Sequence, residues 1–179
     1  MCVVVLVSAV AAGSRAAEPA EVVPTSALEK EAHGMAMILE RDLAMKDRAA
    51  IQNLIARYAF ALDTLNADMY ASVFAQDAQF TFGGNTYKGR EQIRGVIASI
   101  KERRAAQPAS DKPAPKSYHA ITNTLIEFTN DHQAHHRSYW QTLSGPSSGP
   151  FTVGGMGVYE DTIVKSNGEW LIQKREILQ

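Results

Sequence analysis

At 179 residues, with 45% hydrophobic and 21% charged residues, the chain is sized for one folded domain plus a tail and is not disordered or fibrous in composition. A net charge of −1, with no basic run beyond Lys101-Glu102-Arg103-Arg104, leaves no obvious face for counterion-release binding to nucleic acid. The single Cys2 excludes an internal disulfide and no His/Cys spacing suits zinc, so no cofactor or metal is expected.

Taken in chain order, Val3 to Ala12 is an apolar run too short to span a bilayer and the right length for the apolar region of a signal peptide. Ser14-Arg15-Ala16 follows as a small-x-small cleavage pattern, although no Lys or Arg precedes the run. Residues 1–16 are therefore read as a signal peptide, with a start at Met35 or Met45 or an unstructured extension as the alternatives. Export would place the protein in the periplasm or outside the cell; otherwise it is cytoplasmic. Residues 17–34 mix Ala, Glu and Pro without an apolar period and read as a linker. The domain proper is expected over residues 35–179.

Met35 to Leu65 lacks Pro and Gly and predicts a long helix, in one or two pieces. Ile51, Leu54, Ile55, Tyr58 and Leu62 fall on one face of it. Asn66 is placed to cap a short second helix, Ala67 to Phe74. Ala78 to Phe82 alternates like a strand and stops at Gly83-Gly84, and Gly89 precedes a third helix, Arg90 to Arg104. Ala105 to Lys116, with three prolines, predicts a mobile loop. Four strand-like runs follow, Tyr118–Phe128, Gln133–Leu143, Phe151–Lys165 and Glu169–Leu178. Asn130-Asp131 and Asn167-Gly168 suit tight turns between antiparallel neighbours. Helices first and a strand meander afterwards imply an α+β fold without βαβ units.

Period two puts His119, Ile121, Asn123 and Leu125 on one face of their strand. In the next strand Arg137, Tyr139 and Gln141 alternate with Ser138, Trp140 and Thr142. One set faces inward and the pattern does not say which, so Tyr139 and Trp140 are both candidates. His135 and His136 point to opposite faces, which argues against a metal site with His132. Asp161 and Arg175 read as an inter-strand ion pair, and Trp170 as a core plug.

Three segments in order, DRAAIQNLIARYAFALDTLNADMYASVF (47–74), SYHAITNTLIEF (117–128) and GVYEDTIVKSNGEWLIQKR (157–175), resemble the SnoaL-like branch of the nuclear transport factor 2-like superfamily. The strand around Phe80 and the Tyr87-Lys88-Gly89-Arg90 stretch extend the resemblance to about residues 45–178. The resemblance implies a cone-shaped, strongly curved mixed sheet of cystatin-like fold, with helices packed on its concave face around an apolar pocket. It also implies a cofactor-independent lyase or isomerase acting on a small hydrophobic cyclic substrate. Asp63 and His119 match the family's Asp-oriented His base, and Tyr58 matches a position that contacts the departing or carbonyl oxygen. Phe80, Asn123, Tyr139, Trp140 and Tyr159 are the candidate substrate-binding residues. A homodimer or homotrimer is implied, as are two alternatives: a non-catalytic binder of a hydrophobic ligand, or the small subunit of a ring-hydroxylating oxygenase.

Simpler readings stand beside these. Asp63 at a helix end also suits bonding to turn amides, and Tyr58 on the helix stripe also suits plain packing. Five residues turn about 140° around a helix axis, so Tyr58 and Asp63 are not both central on one stripe.

Overall fold

The computed structural model describes residues 26–106, 115–146 and 149–179. The signal-peptide reading of residues 1–16 and most of the expected 105–116 loop lie outside the described residues. The described residues fall into two compact units, divided between Glu40 and Arg41.

Helix α1 (Ala27–Asp63) begins inside the stretch read as linker. The cause is a capping box: the Ser26 amide donates to Glu29 Oε2 at 2.8 Å and the Glu29 amide donates to Ser26 Oγ at 3.2 Å. In the first unit Leu28, Met35, Ile38 and Leu39 are exposed, so capping and helix propensity rather than burial hold these turns. In the second unit Ile51, Leu54, Ile55 and Tyr58 form the expected buried stripe. The helix is tied to the sheet at Asp47, whose Oδ1 accepts from Lys165 Nζ at 2.7 Å and Trp170 Nε1 at 2.8 Å.

The end of α1 positions Asp63. Leu65 takes φ +52°, its amide donates to Leu62 O at 3.2 Å, and the Asn66 amide donates to Ala61 O at 2.9 Å. This is a Schellman closure, and it leaves Asp63 on the last helical turn. A left-handed non-glycine residue costs about 1–2 kcal/mol, offset here because Leu65 packs against the core. Asn66 then caps α2 (Ala67–Ser72) by accepting from the Met69 amide at 3.0 Å.

The chain passes into β1 (Phe74–Phe82), turns at Gly83-Gly84 with φ of +56° and +79°, and returns as β2 (Asn85–Lys88). Helix α3 (Gly89–Ala105) buries Ile93 and Ile97. Then come β3 (Lys116–Asn130), β4 (Gln133–Gly145), β5 (Thr152–Ser166) and β6 (Glu169–Leu178). They form one six-stranded sheet of order β2-β1-β6-β5-β4-β3 in which only β1 and β6 run parallel, so the fold is α+β with a mixed sheet. Among the described residues no helix is long and apolar enough to cross a membrane.

Two bulges decide which side chains face inward. In β3, Thr122 pairs with Tyr139 but Leu125 pairs with Arg137, so one extra residue is inserted around Asn123, which takes φ +53°. The strict alternation expected for this strand breaks there: Ile126 is buried, whereas Asn123 and Leu125 are exposed. In β6 the register shifts between Ile172 and Lys174, which carries the inward face from Trp170 and Ile172 to Arg175. In β4 the even-numbered set, His136, Ser138 and Trp140, is buried. Full burial of Ile51, Ile93, Ile97, Ile163 and Ile172 contributes roughly 1.5–3 kcal/mol each.

Candidate functional site

His119 sits near the start of β3 opposite the end of α1, and Asp63 reaches it twice. Its Oδ1 lies 2.6 Å from His119 Nδ1, and its two oxygens accept the His119 backbone amide at 3.0 and 3.2 Å. Both side chains are largely buried, 17% exposed for His119 and 12% for Asp63. A carboxylate at this distance fixes the imidazole as the Nδ1–H tautomer and leaves Nε2 with a free lone pair. The second contact, to the amide, locks the carboxylate itself, so neither partner can turn without breaking the other's bond.

The pair borders a cavity of about 850 Å³. Phe80, Tyr87, Val96, Ile100 and Ile177 contribute apolar walls, and Trp140 and Tyr159 form a flat side with their rings stacked at 5.9 Å. Glycine at position 157 is required for that side: a Cβ there would collide with Leu178 O and lie 2.9 Å from Trp140 Nε1. Asp63 and His119 also border a smaller cavity of about 280 Å³ between α1 and β3, lined by Gln52, Ala56, Phe60 and Thr124.

Tyr58, Tyr70 and Tyr159 bring their phenols together along the cavity. The Tyr70 hydroxyl donates to the Tyr58 hydroxyl at 3.3 Å, and the Tyr58 ring meets the rings of Tyr70 and Tyr159 at 5.1 and 5.6 Å. Burial, reinforced by the neighbouring Tyr58, pushes the Tyr70 and Tyr159 hydroxyls far above the ordinary phenol range, so both stay protonated donors. Behind them the Arg175 guanidinium lies between two rings, 3.9 Å from the centre of Tyr58 and 4.3 Å from that of Tyr159.

Arg175 is wholly buried and is held by Asp161 through bonds of 2.7 and 2.6 Å. Asp161 Oδ2 is also 2.6 Å from His136 Nδ1. The three residues are direct cross-strand neighbours on β4, β5 and β6. Burial by itself would raise the Asp161 carboxyl; the Arg175 charge outweighs it, with help from His136, and holds the group below the usual carboxylate range. Burial likewise disfavours the Arg175 cation, and Asp161 reverses this and raises it further. Among the described residues no group of three or more His, Cys, Asp or Glu is arranged to hold a metal ion.

The model of the SnoaL-like domain matches residues 44–176. The chain belongs to the SnoaL-like domain family. Solved structures agree in fold. Rv3472, a protein of unknown function from Mycobacterium tuberculosis, is 25% identical over 74% of this chain and 76% of its own, with a TM-score of 0.62. A protein from Novosphingobium aromaticivorans named "Putative Scytalone Dehydratase" is 22% identical over 76% of this chain and 86% of its own, with a TM-score of 0.61. A Catenulispora acidiphila protein in complex with S-DNPA is 25% identical over 74% of this chain and 92% of its own, with a TM-score of 0.59. A search of curated proteins finds no match to this chain.

Within this SnoaL-like domain, Asp63, His119, Tyr58, Phe80, Trp140 and Tyr159 all line the larger cavity. Two candidates do not. Asn123 is exposed because the β3 bulge turns it off the inner face, and Tyr139 is half exposed because it belongs to the outward set of β4. Tyr58 and Asp63 reach the same cavity despite their angular separation because Asp63 projects from the final turn of α1. Tyr70 also lines the cavity and is not marked by the sequence, because on a six-residue helix no periodicity shows it as inward-facing. The sequence pattern gives Arg175 as half of an ion pair and carries no sign that it stacks beneath Tyr58.

Proposed function

We propose that this SnoaL-like domain is a cofactor-independent lyase or isomerase acting on a small hydrophobic cyclic substrate. The observation that carries the reading is the 2.6 Å contact between Asp63 and His119 Nδ1 at the wall of an apolar cavity. Asp63 orients the ring and stabilises the imidazolium that forms when Nε2 takes a proton from an activated carbon. The Tyr58 hydroxyl, which accepts from Tyr70, supplies its own proton as a donor for a carbonyl or departing hydroxyl oxygen. Arg175, stacked under Tyr58, favours negative charge developing at that donor.

In the elimination form the C–H electron pair becomes the new C=C bond as the C–O bond breaks. The proton held by His119 passes to the departing hydroxide, so water leaves and the base is regenerated. In the isomerisation form the same proton returns to a different carbon. The resemblance in fold to the Novosphingobium aromaticivorans protein supports the elimination form.

The test is a screen of cyclic alcohols and enones, followed by His119→Ala on whichever compound turns over. A positioned general base contributes about 10²- to 10⁴-fold, and a fall in kcat of that size with the fold intact is expected. Turnover unchanged in His119→Ala would eliminate the mechanism. Binding of such compounds without turnover in the wild-type protein would favour a ligand carrier of the same fold.

A further inference from the structure

Helix α3 lines the larger cavity with Val96, Ser99, Ile100, Arg103 and Arg104. The series changes character along the helix: its earlier positions are aliphatic or small, and its last turn is basic. Arg103 and Arg104 lie one turn beyond Ile100, about 4.5–6 Å further along the axis. Both are exposed, as expected of charges at the rim of a cavity.

The two arginines are also unengaged. Arg48, Arg57, Arg90, Arg94, Arg137 and Arg175 each donate to a backbone carbonyl, a hydroxyl or a carboxylate. Arg103 and Arg104, like the exposed Arg41 of α1, make no ion pair or side-chain hydrogen bond among the described residues, but they alone of these three line the cavity. Their position in the last turn of α3 favours cations through the helix dipole, which accounts for basic residues there but not for two that line a cavity with no ion-pair partner among the described residues. Among the described residues the one carboxylate side chain that lines the cavity, Asp63, is committed to His119. Among the described residues the cavity therefore pairs apolar walls and a tyrosine-lined interior with two arginines that make no ion pair.

We propose that the natural ligand is a flat hydrophobic ring compound carrying a carboxylate, and that Arg103 and Arg104 bind this carboxylate at the rim. The proposal rests on the reading that the cavity holds a small cyclic ligand, and it names the class. Apolar rings lie along the stacked Trp140 and Tyr159, the reacting end meets Asp63–His119 and the tyrosines, and the charged end stays in contact with water. Guanidinium forks suit a carboxylate because two N–H groups can donate to its two oxygens in parallel.

The probes are anilinonaphthalene sulfonate, whose sulfonate stands in for the carboxylate, and phenylnaphthylamine, which has the same rings without the charge. Both are titrated by fluorescence into the full-length protein, into Arg103→Gln/Arg104→Gln and into Arg103→Lys/Arg104→Lys. Cavity binding is taken as the part of the signal that Ser99→Trp, at an exposed lining position, removes.

Exposed charge pairs are each worth a few-fold. The double glutamine variant should therefore weaken the anionic probe by roughly tenfold and the neutral probe by less than about twofold, with the lysine variant between. Added salt should weaken the anionic probe for the wild type and not for the glutamine variant. Equal weakening of both probes, or no weakening of either, would overturn the proposal. Turnover is not read in this experiment, so its outcome is independent of whether His119 acts as a base.

Discussion

A carboxylate that touches both the ring nitrogen and the backbone amide of the same histidine does more than neutralise charge. Asp63 accepts from His119 at Nδ1 and at the amide, so the tautomer is a property of the fold and can be measured without any substrate. Nitrogen NMR of the labelled protein should show His119 as the Nδ1–H tautomer. Asp63→Asn can present an amide N–H to the ring instead, and should shift the population toward Nε2–H. An unchanged tautomer in Asp63→Asn would show that other contacts set the ring, and would remove the physical basis for an Asp-oriented base. This pair was legible from the sequence because each residue lies in a segment resembling the family's. Tyr70 was not, since its position on the cavity depends on where the short α2 lands against α1 and β1.

At the scale of single elements, punctuation decided what the sequence disclosed. The buried stripe of α1 and the turn at Asn167-Gly168 were plain, because 3.6-residue periodicity and an Asn-Gly dipeptide are local signals. The Ser26-x-x-Glu29 capping box was equally local, but the Ala, Glu and Pro mixture around it suggested a linker. Strand β2 is four residues long and shows no alternation of burial. The bulge in β3 was not legible, because its one extra residue is defined only by the partner strand. That bulge sets the parity by which His119 and Ile126 both serve the inner side. Asn123 adopts φ +53° there, a conformation that asparagine and glycine tolerate and β-branched residues do not. Asn123→Gly should leave stability within about 0.5 kcal/mol, whereas Asn123→Val should cost about 1–2 kcal/mol, as read from urea midpoints. Equal stability of the two variants would mean that the bulge is not held by backbone conformation at this residue.

For the whole molecule, the feature with the largest electrostatic stake is the buried row His136, Asp161 and Arg175. Each residue is fully or almost fully buried, and the row joins three central strands directly behind the tyrosines. Removing one partner of a buried ion pair costs about 3–5 kcal/mol, because the other charge is left uncompensated. Asp161→Asn should destabilise the protein by that amount, whereas loss of the exposed pair Arg94–Asp68, with side chains 49% and 81% exposed, should have little effect.

The pH dependence follows from the direction of the Asp161 shift. Its folded-state carboxyl lies below the unfolded value, so its contribution is fully present above about pH 4. As pH falls from there through the lower folded value, the unfolded chain takes up the proton first and the contribution is lost. Stability measured by urea unfolding should therefore drop below about pH 4 in the wild type, and the drop should be shallower in Asp161→Asn. Identical slopes would show that Asp161 is not a principal source of acid lability and that the load falls on other carboxylates, with Asp47 next in line because Lys165 and Trp170 hold it low in spite of burial. The same row keeps a permanent cation under the Tyr58 ring. A fold that places its costliest ion pair there makes the polarity of the tyrosine-lined cavity, and not only its shape, a consequence of the sheet register.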